Sequence, residues 1–483
     1  MTKESLQHKT FTGVVWGFLE KFSTQLVTLV VGVILARLLS PSDYGLIAMA
    51  EVFVMVCQII VDSGFGSALI RKKNRTAVDY STVFDINVVL SFIMAILLCV
   101  SAPFIASFYH EPMLKYIVWV NGLYLFLGAF VSIQGVKMQA EMHFKEHSKI
   151  IVYNSIIRGV ISVVMALMGF GVWSLILPNL ITIFTTALLY WHILHWFPGI
   201  TFSLKSAKEM FSFGSKLLLS TIINTVYTNL YPMIIGKKFS SANLGYYSKA
   251  NAYANLPSMT IANVIGGVAY PVLSSIQDDD ERLRDVYRRI LRLSAYVVFP
   301  IMIGILVLAR PLIIALITEK WLTSVVYLQI LCIAAMLYPI HGLNLNLLQV
   351  KGRSDLFLRL EIIKKIIGVI FIIVTIRFGL VWLCVGVVCN SFIGLFINTY
   401  YTGKLIDVGL KRQMVDLLPT IFFSIIMGGT VFVVADMFVS TYMQISAGML
   451  IGVLVYYGIS VISHSEDLRY LKTILKDNLH FKY

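Results

Sequence analysis

Polar side chains inside apolar stretches are the groups in this sequence with chemistry to offer. Lys21, Gln25 and Thr28 are spaced i, i+4, i+7, which places them on one helical face, with Glu20 beside it. Glu51, Gln58 and Asp62 share a second face; Lys216, Ser220, Asn224, Tyr227 and Tyr231 share a third. Lys249 and Tyr253 form a fourth, with Asn251 and Asn255 on the adjacent face. Arg158, His341 and Asn344 stand in further apolar stretches. Cations flanked by amides and hydroxyls suit an anionic, hydroxylated ligand, such as a phosphate or pyrophosphate that carries sugars. The expected substrate-binding set is therefore Lys249, Lys21, Lys216 and Arg158, lined by Gln25, Asn224, Tyr253, Asn251 and Asn255. Glu51, Asp62 and Glu20 are candidates to take H+ or Na+ as a coupling ion.

Plainer roles stand beside these. Lys21 can pair with a carboxylate of a neighbouring helix, and Lys216 can snorkel to the interface. Arg158 can brace two helices, and Glu51 and Asp62 can hydrogen-bond between helices. Arg37 and Lys237 sit at the ends of apolar stretches and read as interfacial anchors. His143 and His147 have zinc-like spacing with no third ligand, so they read as a solvated turn. His192 and His195, among Tyr190, Trp191 and Trp196, read as an interfacial belt. No nucleophile elbow, zinc-protease motif, phosphate loop or dinucleotide fingerprint occurs, so no catalytic residue, metal site or cofactor is expected.

The elements that must position these groups are membrane spans. Of the 483 residues 58% are apolar and 13% charged, with a mean hydropathy of +0.82. Soluble domains carry about twice that share of charge. A soluble enzyme, a secreted disulfide module and a disordered chain are thereby excluded. Cys57, Cys99, Cys332, Cys384 and Cys389 all lie in apolar stretches and read as core residues.

A span needs about 20 mainly apolar residues. Fourteen such runs can be read: 11–39, 44–63, 81–108, 114–136, 150–168, 171–196, 211–236, 243–272, 291–318, 321–349, 356–377, 379–402, 415–438 and 442–462. The first is too long for a signal peptide and is expected to remain. Arg310-Pro311 should kink or shorten 291–318. Short interfacial helices are expected around 205–211 and 278–294. With a cytoplasmic N-terminus, 29 basic residues fall on inner segments against 7 on outer ones, so both termini are placed inside. Topology thus accounts for the net charge of +14, and no nucleic-acid partner is expected.

Residues 34–50, ILARLLSPSDYGLIAMA, and 234–250, IIGKKFSSANLGYYSKA, match at a constant offset of 200. Ile34, Ser40, Gly45 and Ala50 meet Ile234, Ser240, Gly245 and Ala250. Six spans per repeat unit is an even number, which predicts two lobes with the same orientation. The expected fold is an all-α polytopic membrane protein with two pseudo-symmetric six-helix lobes, 1–204 and 205–410, and a C-terminal pair of spans in 411–483. The polar helices of the two lobes are expected to line one hydrophilic cavity, joined by His341 and Asn344.

The chain resembles polysaccharide exporters of the Wzx type, in the multidrug/oligosaccharidyl-lipid/polysaccharide flippase superfamily. The resemblance rests on ILARLLSPSDYGLIAMA (34–50), DSGFGSALIRKKN (62–74), DYSTVFDIN (79–87), LGYYSKANAYANLP (244–257), YPVLSSIQDD (270–279), RPLIIALITEKW (310–321) and LLQVKGRSDL (347–356). Asp85 departs from it, standing where an aromatic is expected. The resemblance implies a bacterial inner-membrane flippase that moves an undecaprenyl-pyrophosphate-linked oligosaccharide outward by alternating access. It also implies a cationic cavity for the headgroup, a lateral portal for the lipid tail, and membrane lipids and polysaccharide polymerase or export machinery as partners. Lys249, within LGYYSKA, is the position the resemblance carries over. Competing readings are a drug/cation antiporter, which four cavity cations disfavour; a lipid II flippase; and a membrane polymerase or ligase, which lacks its large outer loop here.

Overall fold

Apolar runs broken by Gly, Pro or charge become helices because a bilayer leaves no other partner for the backbone. The computed structural model describes residues 3–62, 64–72, 74–199 and 201–480, without the side chains of 3–11, 14, 212–217, 220 and 474–480. The helices are α1 (Lys3–Leu38), α2 (Pro41–Asp62), α3 (Phe65–Arg71), α4 (Ala77–Tyr109), α5 (Met113–Ala140), α6 (Phe144–Leu167), α7 (Trp173–Leu194), α8 (Leu204–Lys238) and α9 (Ser241–Ser275). They continue with α10 (Asp280–Val307), α11 (Ala309–Ile317), α12 (Thr323–Ala335), α13 (Tyr338–Val350), α14 (Ser354–Thr375), α15 (Leu380–Ile406), α16 (Leu410–Asp436), α17 (Thr441–Ile462) and α18 (Glu466–His480). No strand occurs among the described residues.

Twelve segments among the described residues are long and apolar enough to cross a membrane. The protein is a multi-pass membrane protein. Each of the fourteen expected runs is helical, but α8 and α14 fall outside the twelve. In α8, Thr221, Asn224, Thr225, Thr228 and Asn229 dilute the apolar residues. In α14, Arg359, Glu361, Lys364 and Lys365 do so. The chain breaks at Leu308, before Arg310-Pro311, and again between α12 and α13, before Pro339. Proline has no N–H for the preceding turn, which favours both breaks. The separate interfacial helices expected at 205–211 and 278–294 are not formed. Their residues run continuously into α8 and α10; no proline stands at either junction, and α8 passes through Gly214 without a break.

The helices sort into two compact units, Met1–Gly245 and Tyr246–Tyr483. Within the first unit α8 packs on α2, α3 and α4. In the first unit, α4 packs on α5, and α7 covers α5 and α6. Helix α1 lies parallel to α6, with Gly13 against Phe144 and Gly159 against Val27 and Val31. In the second unit, α10, α13, α15 and α16 enclose Leu283, Tyr287, Leu291, Leu343 and Leu417, all essentially inaccessible. Helix α17 packs on α16 and α11, and α14 on α15.

The offset-200 repeat has a geometric counterpart within the first unit. Helices α2 and α9 begin at equivalent residues and cross there. A Cβ on Gly45 would lie 1.7 Å from the Ser241 carbonyl oxygen, and one on Gly245 would lie 1.9 Å from that of Pro41. Pro41 and Ser241 are themselves repeat partners, so the contact is reciprocal. The Ser42 and Ser241 hydroxyls close it at 2.7 Å.

Candidate functional site

The first unit presents several of the expected polar groups on its surface. Lys21, Gln25 and Thr28 are exposed along α1, as periodicity requires. Within the unit no carboxylate among the described residues lies at ion-pair distance from Lys21 or Arg158. The pairing considered for Lys21 is thus not seen among the described residues of this unit, and Arg158 is exposed on α6. On α2, Glu51 and Asp62 are exposed, and Gln58 Nε2 donates to both Asp62 oxygens at 3.4 and 3.5 Å. On α8, Asn224 is exposed, and Asn229 donates to the Thr225 carbonyl at 2.8 Å. The Lys216 side chain lies outside the described residues.

The structure brings α2 and α8 together, and Asn229 Nδ2 reaches Met55 Sδ at 3.8 Å. Helix α1 has a different principal neighbour, α6. Glu20 turns toward that neighbour and accepts from Ser148 Oγ at 2.7 Å. This is an interhelical hydrogen bond of the kind sequence periodicity does not disclose.

In the second unit α9 carries Lys249 and Tyr253, both half-buried. Asn255 Nδ2 donates to Asn251 Oδ1 at 2.8 Å, so these two amides form one polar ledge. The aromatics around Lys249 do not all share its face. Tyr246 meets the buried Trp321 edge-on at 5.9 Å, and Tyr247 is buried.

Asn344 is not a cavity residue. It is fully buried, and its Oδ1 accepts from Gln413 Nε2 at 2.9 Å and Thr402 Oγ1 at 3.1 Å. Burying an amide without partners would cost about 1–3 kcal/mol, so this triad braces α13, α15 and α16. His341 Nε2 lies 3.0 Å from Ser391 Oγ, and His341 Nδ1 lies 3.3 Å from Asn398 Nδ2. Beside it, Lys364 pairs with Glu361 at 2.5 Å. Glu361 and Lys364 were not expected as site residues, although two opposite charges at i, i+3 inside an apolar run are a legible signal.

Other groups are structural. Lys237 Nζ donates to the Phe108 carbonyl at 2.5 Å and sits 4.7 Å from the Phe108 ring, as an anchor should. His143 is exposed, but His147 is not in a solvated turn. It is half-buried, stacks on Tyr190 and lies 3.0 Å from the Tyr190 hydroxyl. Lys72 meets Asp79 at 2.9 Å and Glu209 at 3.2 Å, tying the start of α4 to α8. The hydrogen bond to Asp79 holds the Lys72 ammonium above its ordinary range. Arg75 donates to the carbonyls of Ile70, Lys72 and Ala140. Arg288 grips Asp416 with two bonds of 2.6 and 2.8 Å. An apolar groove of about 560 Å³ runs between α10, α16 and α17, floored by Gly304, Gly448 and Gly452.

The sequence profile of the family described as polysaccharide biosynthesis protein matches residues 34–326. The chain belongs to this family. The match takes in both crossing hairpins, Glu51, Asp62, Arg158 and Lys249. Among relatives of this family member, teichuronic acid biosynthesis protein TuaB of Bacillus subtilis is 25% identical over 73% of each chain. Lipopolysaccharide biosynthesis protein WzxC of Escherichia coli is 25% identical, over 77% of this chain and 76% of its own. Among solved structures, the lipid II flippase MurJ in an inward closed conformation superposes with a TM-score of 0.76 at 14% identity. That match covers 93% of this chain and 99% of the other. An inward-facing multidrug resistance MATE family transporter of the MOP superfamily gives 0.60 at 14% identity, covering 79% and 95%. The polysaccharide biosynthesis family member therefore has the fold of these transporters.

Proposed function

We propose that this protein is a flippase that moves an undecaprenyl-pyrophosphate-linked oligosaccharide from the cytoplasmic to the outer leaflet of a bacterial inner membrane. Both termini lie in the cytoplasm in this reading, and transport proceeds by alternating access. The observation that carries it is Lys249. It is a half-buried cation in a membrane helix, and it falls inside the family match. A charge at mid-bilayer costs roughly 2.5–3.5 kcal/mol on insertion scales, so it is retained for a ligand or partner.

In the first unit Lys21 and Arg158 are cations for a pyrophosphate and Gln25 a partner for sugar hydroxyls; in the second, Lys249 with Asn251, Asn255 and Tyr253 offers the same chemistry. Asn224 and, by its position in the sequence, Lys216 add to the first unit's share in this reading. The apolar groove beside α16 and α17 suits the polyprenyl tail. In this reading Glu51 and Asp62 bind H+ or Na+ and so couple transport to a gradient. The names of the relatives, in teichuronic acid and lipopolysaccharide biosynthesis, support a cell-surface polysaccharide as the cargo class.

The test is depletion of the protein in its host, followed by probing which leaflet holds the lipid-linked saccharide. Accumulation on the cytoplasmic face is expected. Accumulation on the outer face would instead assign the protein to polymerisation or ligation after translocation. Lys249→Ala, expressed at normal level, is expected to reproduce the cytoplasmic accumulation.

A further inference from the structure

The groove between α1 and α6 in the first unit has a composition that transport does not explain. Its volume is about 580 Å³, and its walls include Leu19, Ile156, Trp16, Glu20, Ser148 and Lys149. Two opposite charges line one apolar channel. Among the described residues Ser148 is the only hydrogen-bond partner of the Glu20 carboxylate, and Glu20 and Lys149 form no ion pair with each other. The Lys149 ammonium instead sits 5.9 Å from the Trp16 ring, at the exposed rim.

Depth decides what could fill it. Helices α1 and α6 run parallel, and Phe144, beside Gly13, opens α6. Ser148 is four residues further on, about 6 Å along the axis. The charges therefore lie near the membrane boundary, and the apolar walls extend from there toward the bilayer centre. A half-buried carboxylate at that depth favours a cation with N–H donors; an exposed lysine favours a phosphate.

We propose that this groove binds a zwitterionic phospholipid with a primary ammonium, phosphatidylethanolamine. The ammonium donates to Glu20, the phosphate accepts from Lys149, and one acyl chain lies along Leu19 and Ile156. Phosphatidylcholine shares the phosphate but has no N–H donor. Phosphatidylglycerol has the phosphate and no cation. The proposal is independent of the transported cargo.

The full-length protein in detergent, titrated with these three lipids of matched chains, can be followed by native mass spectrometry. Phosphatidylethanolamine is expected to be retained about tenfold more than either of the others, the equivalent of one good charge-assisted hydrogen bond. Glu20→Gln is expected to abolish that preference, and Lys149→Ala to lower retention of phosphatidylethanolamine and phosphatidylcholine alike. Equal retention of phosphatidylglycerol would overturn the proposal, as would an unchanged preference in Glu20→Gln. Competitive displacement by undecaprenyl phosphate would overturn it by assigning the groove to a polyprenyl chain. Should Glu20→Gln fail to fold, Lys149→Ala decides alone, and wild-type retention of phosphatidylethanolamine would refute the site.

Discussion

Residues 40–50 and 240–250 build the same hairpin exit twice, with different chemistry. In the first copy Ser40 and Asp43 form a reciprocal cap. Asp43 Oδ2 accepts from Ser40 N at 2.9 Å and from Ser40 Oγ at 2.7 Å, while Asp43 N donates to Ser40 Oγ at 3.2 Å. In the second copy Asn243 replaces the carboxylate. Its N and Nδ2 donate to Ser240 Oγ at 3.2 and 3.0 Å, with no charge involved. Both copies keep the glycine that the crossing requires. Nine residues beyond each serine they part completely. Met49 is sealed, 1% exposed and packed on Gly236, whereas its counterpart Lys249 is half-buried and cationic. The scaffold is symmetric where backbones touch and asymmetric at positions 49 and 249.

Lys249→Met, which makes the second copy resemble the first, should sharpen this contrast most. Export should fall at least tenfold, as roughly one charge-assisted contact is lost, while thermal unfolding in detergent stays near wild type. A large loss of stability would show that Lys249 serves the fold. The reverse exchange, Met49→Lys, places an unpaired charge in a sealed position and should destabilise by roughly 3 kcal/mol, read from the same unfolding experiment. Gly45→Ala and Gly245→Ala should each cost about 2–3 kcal/mol, because the new methyl meets backbone rather than a flexible side chain. Near-equal values would support the reciprocal crossing; a several-fold difference would break it. Smallest are the caps. Asp43→Ala should cost about 1 kcal/mol and Asn243→Ala roughly half that, since only the first loses a charged acceptor.

Much of this architecture can be read from hydropathy. Each of the fourteen apolar runs is helical, although two fall outside the twelve span-like segments, and the break at Leu308 falls beside Arg310-Pro311, whereas the one before Pro339 was not expected. Periodicity also identified which residues share a face, as with Lys21, Gln25 and Thr28. It could not say what that face looks at. Glu20 meets Ser148, 128 positions away, and Arg288 meets Asp416 at the same separation. Asn344 looked like a cavity residue because its partners, Thr402 and Gln413, lie on helices 58 and 69 positions on. A polar residue in a span is satisfied either by a ligand or by another helix, and one sequence does not distinguish the two. His147 illustrates the local version, since its burial depends on Tyr190 from a different span. The extension of α8 and α10 through their basic starts was missed for another reason. Charge marks the membrane boundary but does not terminate a helix.

The charges of α14 bear on how the protein is made. Each ionised side chain at a helix centre adds roughly 2.5–3.5 kcal/mol to the free energy of insertion through a translocon. Arg359, Glu361, Lys364 and Lys365 together oppose independent entry of this segment. The Glu361–Lys364 pair offsets part of that opposition, and the Lys364 stem lies 3.3 Å from where a Cβ on Gly394 of α15 would stand. Entry of α14 together with α15, as one hairpin, is therefore the expected route into the bilayer.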